Sequence, residues 1–169
     1  MNNATRALLV AAIAVGLSAC AKKVREEAPA PAAAPAPVAT APVNDGRYGP
    51  EDLDTVACLR QRTILFDFDQ DSLKPEIQAV LACHAKYLQD RPESRVTLEG
   101  NADERGTREY NLGLGERRGN AVSGAVQAAG GSAGQLTVVS YGEERPTCAE
   151  SAESCWGNNR RVEIVYTAR

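Results

Sequence analysis

Residues 99–122, EGNADERGTREYNLGLGERRGNAV, lead from the end of a predicted strand through an acidic loop into a predicted helix. If residues 110–129 form that helix, the i, i+3 and i+4 spacing puts five side chains on one face: Leu114, Arg118, Ala121, Val122 and Ala125. Arg118 is the charged member of this small and apolar set. A guanidinium in such a place requires either a carboxylate partner or an open pocket.

The loop before the helix supplies a carboxylate, because Asp103 lies there with Glu104 beside it. An arginine and an aspartate in one cleft can bind a zwitterion, with the guanidinium on a carboxylate and the aspartate on an ammonium. Asp103 and Arg118 could equally form a buried ion pair without a ligand, and the spacing alone leaves both arrangements open. Asn101 and Thr107 add an amide and a hydroxyl group to the same loop.

Apolar periodicity over residues 53–169 alternates between strand and helix. Strands are predicted at 62–69, 95–100, 136–141 and 161–166, and helices from Pro75 and over 110–129. We therefore predict an α/β sandwich in which helices pack on one face of a small mixed sheet. His84 lies on the apolar face of the first helix, so we predict a core role for it.

The chain begins with a targeting segment. Residues 7–17 form an apolar run too short to span a bilayer, and Leu17-Ser18-Ala19-Cys20 ends it. This tetrapeptide resembles the bacterial lipoprotein box, which implies removal of residues 1–19, diacylglycerol on the Cys20 thiol and an acyl chain on the new amino terminus. A plain signal peptide is the alternative. Ala21 instead of aspartate favours the outer membrane over the inner one in lipoproteins of enterobacterial type.

Residues 20–52 are predicted to be a lipidated terminus followed by a spacer. The segment 28–43, APAPAAAPAPVATAPV, has no apolar periodicity and cannot build a core. Its prolines favour the polyproline conformation at about 3.1 Å per residue, which gives a semi-rigid spacer of several tens of ångströms. The spacer would hold the domain at residues 53–169 away from a membrane.

Four cysteines remain when Cys20 is set aside, and an even number suits an exported domain with disulfides. Three pairings are possible, of which we favour Cys58 with Cys83 and Cys148 with Cys155. A zinc site is disfavoured because the cysteines lack C-x-x-C spacing and His84 is the single histidine. We predict no metal and no cofactor.

Asp67 and Asp69 follow an apolar strand one residue apart, which resembles the opening of haloacid-dehalogenase-type phosphatases. That family continues with Gly-Thr, whereas this chain has Gln70-Asp71, and a small acid-dependent phosphohydrolase is kept only as an alternative. These aspartates do not begin a calcium-binding loop, because glycine and glutamate are absent from the positions where such a loop requires them.

The composition, 43% hydrophobic and 24% charged in 169 residues, is typical of a globular protein, and a net charge of −3 does not favour nucleic acid as a partner.

Several motifs together resemble the OmpA-like peptidoglycan-binding domain family. They are GNADERGT at 100–107, EYN at 109–111, LGERR at 114–118, NAV at 120–122, LFDFD at 65–69, VSYGEERP at 139–146 and NRRV at 159–162. The resemblance extends from about Leu53 to Tyr166. Gly119 stands where the family usually has alanine, and we expect it to weaken the helix.

The resemblance implies a non-covalent ligand, the diaminopimelate residue in the stem peptide of peptidoglycan, and no enzymatic activity. Arg118 would bind the ligand carboxylate and Asp103 its ammonium. The remaining residues implied to line the pocket are Phe68, Asp69, Asn101, Thr107 and Leu114. A lysine-type stem lacks that carboxylate, so the site should select against it.

The resemblance also implies partners and a location. Lipoprotein members of this family bind TolB and serve the Tol system, which draws the outer membrane inward during division. We therefore expect a lipid-anchored protein of the outer membrane whose domain faces the periplasm and tethers that membrane to the cell wall.

Overall fold

The computed structural model describes residues 46–169. The predicted signal peptide, Cys20 and the Pro-rich segment 28–43 lie outside the described residues. The elements in chain order are α1 (Asp52–Thr55), α2 (Ala57–Arg60), β1 (Thr63–Leu65), α3 (Ile77–Asp90), β2 (Arg95–Asn101), α4 (Arg108–Ala128), a 3-10 turn (Ala133–Gln135), β3 (Leu136–Gly142), α5 (Glu153–Asn159) and β4 (Arg161–Ala168).

The four strands form one mixed sheet in the order β1-β4-β2-β3. Strand β4 is antiparallel to β1 and β2, whereas β2 and β3 are parallel and are joined by the long helix α4. A parallel pair needs such a crossover because a tight turn cannot connect its ends. The prediction of a small mixed sheet is confirmed.

The core lies between this sheet and the helices α3 and α4, which confirms the prediction that helices pack on one face. Inward positions alternate along β2 and β4, as expected for strands with one buried face. The fully or nearly buried apolar side chains there include Leu81, Leu88, Val96, Leu98, Val122, Val126, Val162 and Ile164. His84 is 1% exposed among them, as predicted, and its ring nitrogens lie 2.8 Å from the Tyr166 hydroxyl and 3.2 Å from the Gln61 carbonyl.

Helix α4 lies unusually close to the sheet because glycines form the contact. A Cβ on Gly100 of β2 would lie 1.9 Å from the backbone oxygen of Gly115 in α4. A Cβ on Gly119 would lie 2.5 Å from the Val138 side chain of β3. Gly119 thus has a packing role that the sequence prediction missed, and this close approach brings the first turns of α4 next to the end of β2.

Both predicted disulfides, Cys58–Cys83 and Cys148–Cys155, are formed. The first joins α2 to α3, and the second closes a short loop that ends in α5. Among the described residues, no helix has the length and apolar character needed to cross a membrane.

Element boundaries differ from the predictions mainly at β1, which ends at Leu65 instead of continuing to Asp69. The chain turns there: the Gln70 N–H donates to the Asp67 carbonyl at 3.2 Å, and Asp69 has φ of 56°. A strand cannot continue through a left-handed residue. Helix α3 begins at Ile77, two residues after Pro75. The short helices α1, α2 and α5 were not predicted.

Candidate functional site

A cavity of about 200 Å³ opens where the β1–α3 turn, the β2–α4 loop and the first turns of α4 meet. Its lining contains three guanidinium groups and two carboxylates among aromatic and apolar side chains. The lining residues are Phe68, Asp69, Asp103, Arg105, Gly106, Tyr110, Asn111, Leu114, Arg118 and Arg160. The lining therefore offers both cations and carboxylates, which suits a zwitterionic group.

Arg118 is fully buried on the inner face of α4 and is held by three backbone carbonyls. Its Nε donates to Gln70 at 2.8 Å, Nη1 to Asn101 at 2.9 Å and Nη2 to Asp67 at 3.1 Å. Within residues 46–169, no carboxylate forms an ion pair with it. Burial lowers the pKa of Arg118 to about 10, so the side chain remains charged at neutral pH.

Asp103 lines the same cavity without pairing with Arg118. Its carboxylate accepts from the Arg105 backbone N–H at 3.0 Å, from Arg105 Nε at 3.2 Å and from Arg105 Nη2 at 2.6 Å. Arg160 Nη1 adds a fourth contact at 3.1 Å. Burial alone would raise the pKa of Asp103, but hydrogen bonds from the two arginines outweigh it and hold the pKa below its usual value.

Two buried side chains support this acidic loop. Asn111 in α4 donates to the Asp103 carbonyl at 3.1 Å and to the carboxylate of Glu143. Arg160 donates to the Phe66 carbonyl at 3.1 Å and to Glu153 Oε1 at 2.6 Å. The loop conformation is therefore supported by partners from α4, from α5 and from the residue that follows β1.

Asp69 lines the cavity from the turn between β1 and α3. One of its oxygens accepts a hydrogen bond from the hydroxyl of Tyr110, whose side chain is largely exposed. Asp69 makes no ion pair with a described residue. A carboxylate held in a left-handed turn beside the Arg118 contacts is thus available to a cationic group in the cavity.

The structure brings together five of the seven residues predicted for the site, namely Phe68, Asp69, Asp103, Leu114 and Arg118. Asn101 does not line the cavity, because its side chain donates to the Glu99 carbonyl at 2.9 Å and its own carbonyl holds Arg118. Thr107 is the N-cap of α4, and its hydroxyl accepts from the Tyr110 N–H at 3.2 Å. Direct ligand contact by any of the seven stays a prediction.

Sequence reasoning did not assign five of the lining residues to the site. Arg105, Gly106, Tyr110 and Asn111 lie inside the family motifs at 100–111, and Arg160 lies inside the motif at 159–162. Their presence in those motifs was the available signal. Which partners their side chains take depends on tertiary contacts that spacing does not reveal.

The phosphohydrolase alternative gains no support from the geometry. Asp67 is not part of the cavity lining and pairs with Lys74 at 2.9 Å on the surface. Among the described residues, no group of three His, Cys, Asp or Glu side chains could hold a metal ion.

Comparison with known proteins identifies the family. The sequence model described as the OmpA family matches residues 65–160, which is more than half of the chain. The chain belongs to the OmpA family. The peptidoglycan-associated lipoprotein of Pasteurella multocida strain Pm70 is 37% identical over 166 residues, which cover 98% of this chain and 100% of the relative.

Solved structures of OmpA-like domains agree with this assignment. The crystal structure of the peptidoglycan-associated lipoprotein from Burkholderia pseudomallei matches with a TM-score of 0.67 and 40% identity, covering 69% of this chain and 98% of that one. The C-terminal domain of Helicobacter pylori MotB matches with a TM-score of 0.58 at 21% identity, covering 63% of this chain and 84% of that one, and shows the shared fold alone. The OmpA resemblance inferred from the motifs is confirmed.

Proposed function

We propose that this protein binds peptidoglycan non-covalently through the diaminopimelate residue of the stem peptide, and that it is not an enzyme. The observation that carries the proposal is the Arg118 guanidinium, buried at a cavity without a carboxylate partner in residues 46–169. Relatives named peptidoglycan-associated lipoprotein, similar over nearly the whole chain, support peptidoglycan as the ligand.

Arg118 receives the ligand carboxylate in this proposal. A guanidinium has five N–H donors, and three hydrogen bonds to backbone carbonyls leave two. The two remaining N–H groups, one on Nη1 and one on Nη2, donate to the carboxylate in this proposal, and charge-assisted hydrogen bonds of this kind fix orientation as well as adding energy. The backbone contacts hold the guanidinium in place before the ligand arrives, so little side-chain entropy is lost on binding.

The ligand ammonium lies between Asp103 and Asp69. Asp103 supplies negative charge, but its oxygens already accept four N–H contacts from Arg105 and Arg160. Asp69 has a single described acceptor contact, with Tyr110, and so has lone pairs for a direct ammonium hydrogen bond. We therefore place the direct contact at Asp69 and keep Asp103 as the second anion.

The preference of the proposed site for diaminopimelate over lysine follows from the second carboxylate of diaminopimelate. A lysine-type stem carries the ammonium but not the second carboxylate, so Arg118 would face a ligand that cannot pair with it. Leaving a charged donor without its acceptor costs more than losing an apolar contact. We expect the diaminopimelate stem to bind at least about tenfold more tightly.

We further propose that Cys20 carries the lipid anchor and that the protein tethers the outer membrane to the cell wall as part of a Tol–Pal system with TolB. The support is the Leu17-Ser18-Ala19-Cys20 box, the Pro-rich spacer and the lipoprotein names of the full-length relatives. Labelled palmitate should be incorporated into the chain in a Gram-negative host and should be absent from Cys20→Ser. TolB should co-purify with the wild-type chain after crosslinking in cells.

Co-sedimentation with purified sacculi tests the ligand proposal. The full chain in detergent should pellet with diaminopimelate-type sacculi and remain soluble with lysine-type sacculi. Asp69→Asn should weaken pelleting, while Asp67→Asn, a matched surface aspartate two residues away, should leave it unchanged. Equal pelleting with both kinds of sacculi would refute the ligand, and an unchanged Asp69→Asn would refute the ammonium contact.

A further inference from the structure

Arg105 is the one lining residue whose side chain stacks on two aromatic rings. Its guanidinium carbon lies 4.1 Å from the centroid of Phe68 and 4.2 Å from that of Trp156. Such contacts restrain a cation through the electrostatic attraction of the ring faces. Phe68 lines the cavity, but Trp156 lies behind Arg105 in α5 and is not part of the lining.

Trp156 itself is held by a hydrogen bond to Glu104 in the acidic loop. Its indole N–H donates to Glu104 Oε1 at 2.9 Å, and the Ser151 hydroxyl donates to the same oxygen at 2.8 Å. Glu153, three residues before Trp156, pairs with Arg105 Nη1 at 3.3 Å and with Arg160 Nη2 at 2.6 Å. The segment around α5 thus contacts both arginines that surround Asp103.

The Cys148–Cys155 disulfide closes this segment directly beside Trp156. Asn159 fixes the other end, because its side chain accepts from the Cys148 N–H at 3.2 Å and donates to the Cys148 carbonyl at 2.7 Å. Cys155 is 1% exposed, so the disulfide joins a buried position in the first turn of α5 to Cys148. A short closed loop has few alternative conformations in which Trp156 could leave Arg105.

We propose that Trp156 is a positioning residue for the peptidoglycan site: the Cys148–Cys155 loop holds it against Arg105, and Arg105 in turn orients the carboxylate of Asp103. The inference rests on the proposed function, since it concerns the arrangement of the same pocket. Without the indole, Arg105 keeps one aromatic contact, and its three hydrogen bonds to Asp103 become intermittent. The site is then less preorganised, so it binds its ligand more weakly.

The direct readout needs no ligand. The Arg105 Nε–H donates to Asp103 at 3.2 Å, so its NMR resonance in the full chain in detergent should exchange slowly with water. Trp156→Ala and the double variant Cys148→Ser/Cys155→Ser should both raise that exchange rate toward the rate of an exposed arginine. Trp156→Phe should largely retain the slow exchange. The matched control, Cys58→Ser/Cys83→Ser, removes the distant disulfide and should leave it unchanged.

Affinity for a diaminopimelate stem tripeptide supplies the second readout, with the folded fraction checked by circular dichroism. Trp156→Ala and the Cys148/Cys155 double variant should each bind about 5- to 10-fold more weakly, while Trp156→Phe and the Cys58/Cys83 double variant remain within about twofold of wild type. Unchanged or tighter binding by folded Trp156→Ala would overturn the inference. If the wild-type chain bound no stem peptide, the proposed function would fail, and the Arg105 resonance would still decide whether Trp156 positions Arg105.

Discussion

Arg118 on α4 donates through Nη2 to the backbone carbonyl of Asp67 at 3.1 Å, so a helix side chain holds the turn that follows β1. The same guanidinium holds the end of β2 through the Asn101 carbonyl. One buried cation therefore joins three segments that are distant in sequence and also faces the cavity. The proposed ligand contact and the structural role therefore fall on the same side chain.

Arg118→Ala should lower the free energy of unfolding by about 3–5 kcal/mol, because it leaves three buried carbonyls without donors and creates a void. The neighbouring Arg117 is a matched control, since it pairs with Asp71 at the surface at 3.1 Å and is half exposed. Arg117→Ala should cost about 1 kcal/mol or less. Urea unfolding followed by circular dichroism measures both. Similar losses for the two variants would contradict the structural role of Arg118.

Two substitutions of Asp69 separate the role of its backbone conformation from the role of its carboxylate. Asp69→Gly and Asp69→Ala both remove the carboxylate, but only glycine adopts the observed φ of 56° without strain. Both variants should lose affinity for the stem peptide to a similar extent, while Asp69→Gly should be about 1 kcal/mol more stable than Asp69→Ala. Equal stability would mean that the left-handed conformation is not required in solution.

The close approach of α4 to the sheet can be tested with two glycines. Gly100→Ala should destabilise the domain by about 3 kcal/mol or more, because its Cβ would collide with the backbone of Gly115, which cannot rotate away. Gly124 lies on the exposed side of α4, and a Cβ there meets nothing within 4 Å. Gly124→Ala should therefore stabilise by roughly 0.5–1 kcal/mol. Thermal unfolding of the two variants should give shifts of opposite sign.

His84 should make stability depend on pH. Burial, with a smaller contribution from the charge of Arg62, lowers its pKa from 6.5 to about 4, although the hydrogen bond to Gln61 opposes the shift. Between these values the unfolded chain binds the proton and the folded chain does not, so stability is full above pH 6.5 and declines as the pH falls toward 4. The total contribution is about 3 kcal/mol.

The measurement is the free energy of unfolding in urea from pH 7.5 to pH 4, for wild type and His84→Gln. Carboxylates titrate in both proteins, so the difference between the two curves isolates the histidine. That difference should shrink steadily below pH 6.5. A constant difference across the range would mean that His84 takes up its proton at the same pH in the folded and unfolded chains.

Much of the fold could be predicted because its signals are local. The face of α4 that carries Leu114, Arg118 and Val122 follows from helical spacing, and all three side chains are buried. The two disulfides could be chosen because Cys58–Cys83 ties the segment before the first strand to the first helix and Cys148–Cys155 closes a short loop. These features need only periodicity and chain order.

The partners of Asp103 could not be predicted in the same way. Arg160, which donates to it at 3.1 Å, is 57 residues further along the chain. Spacing left open an ion pair between Asp103 and Arg118, yet Arg118 donates to backbone carbonyls instead. The left-handed Asp69 and the short helix α5 were also missed, because neither a turn conformation nor a helix of seven residues leaves a periodic pattern.

The most direct test of the account is a calorimetric titration of the full chain in detergent with two stem tripeptides, one with diaminopimelate and one with lysine at the third position. Wild type should bind the diaminopimelate peptide at least about tenfold more tightly, and Arg118→Lys, which keeps the charge but loses the planar fork, should lose most of that preference. Equal affinity of wild type for both peptides would contradict a site organised around Arg118 and a ligand carboxylate.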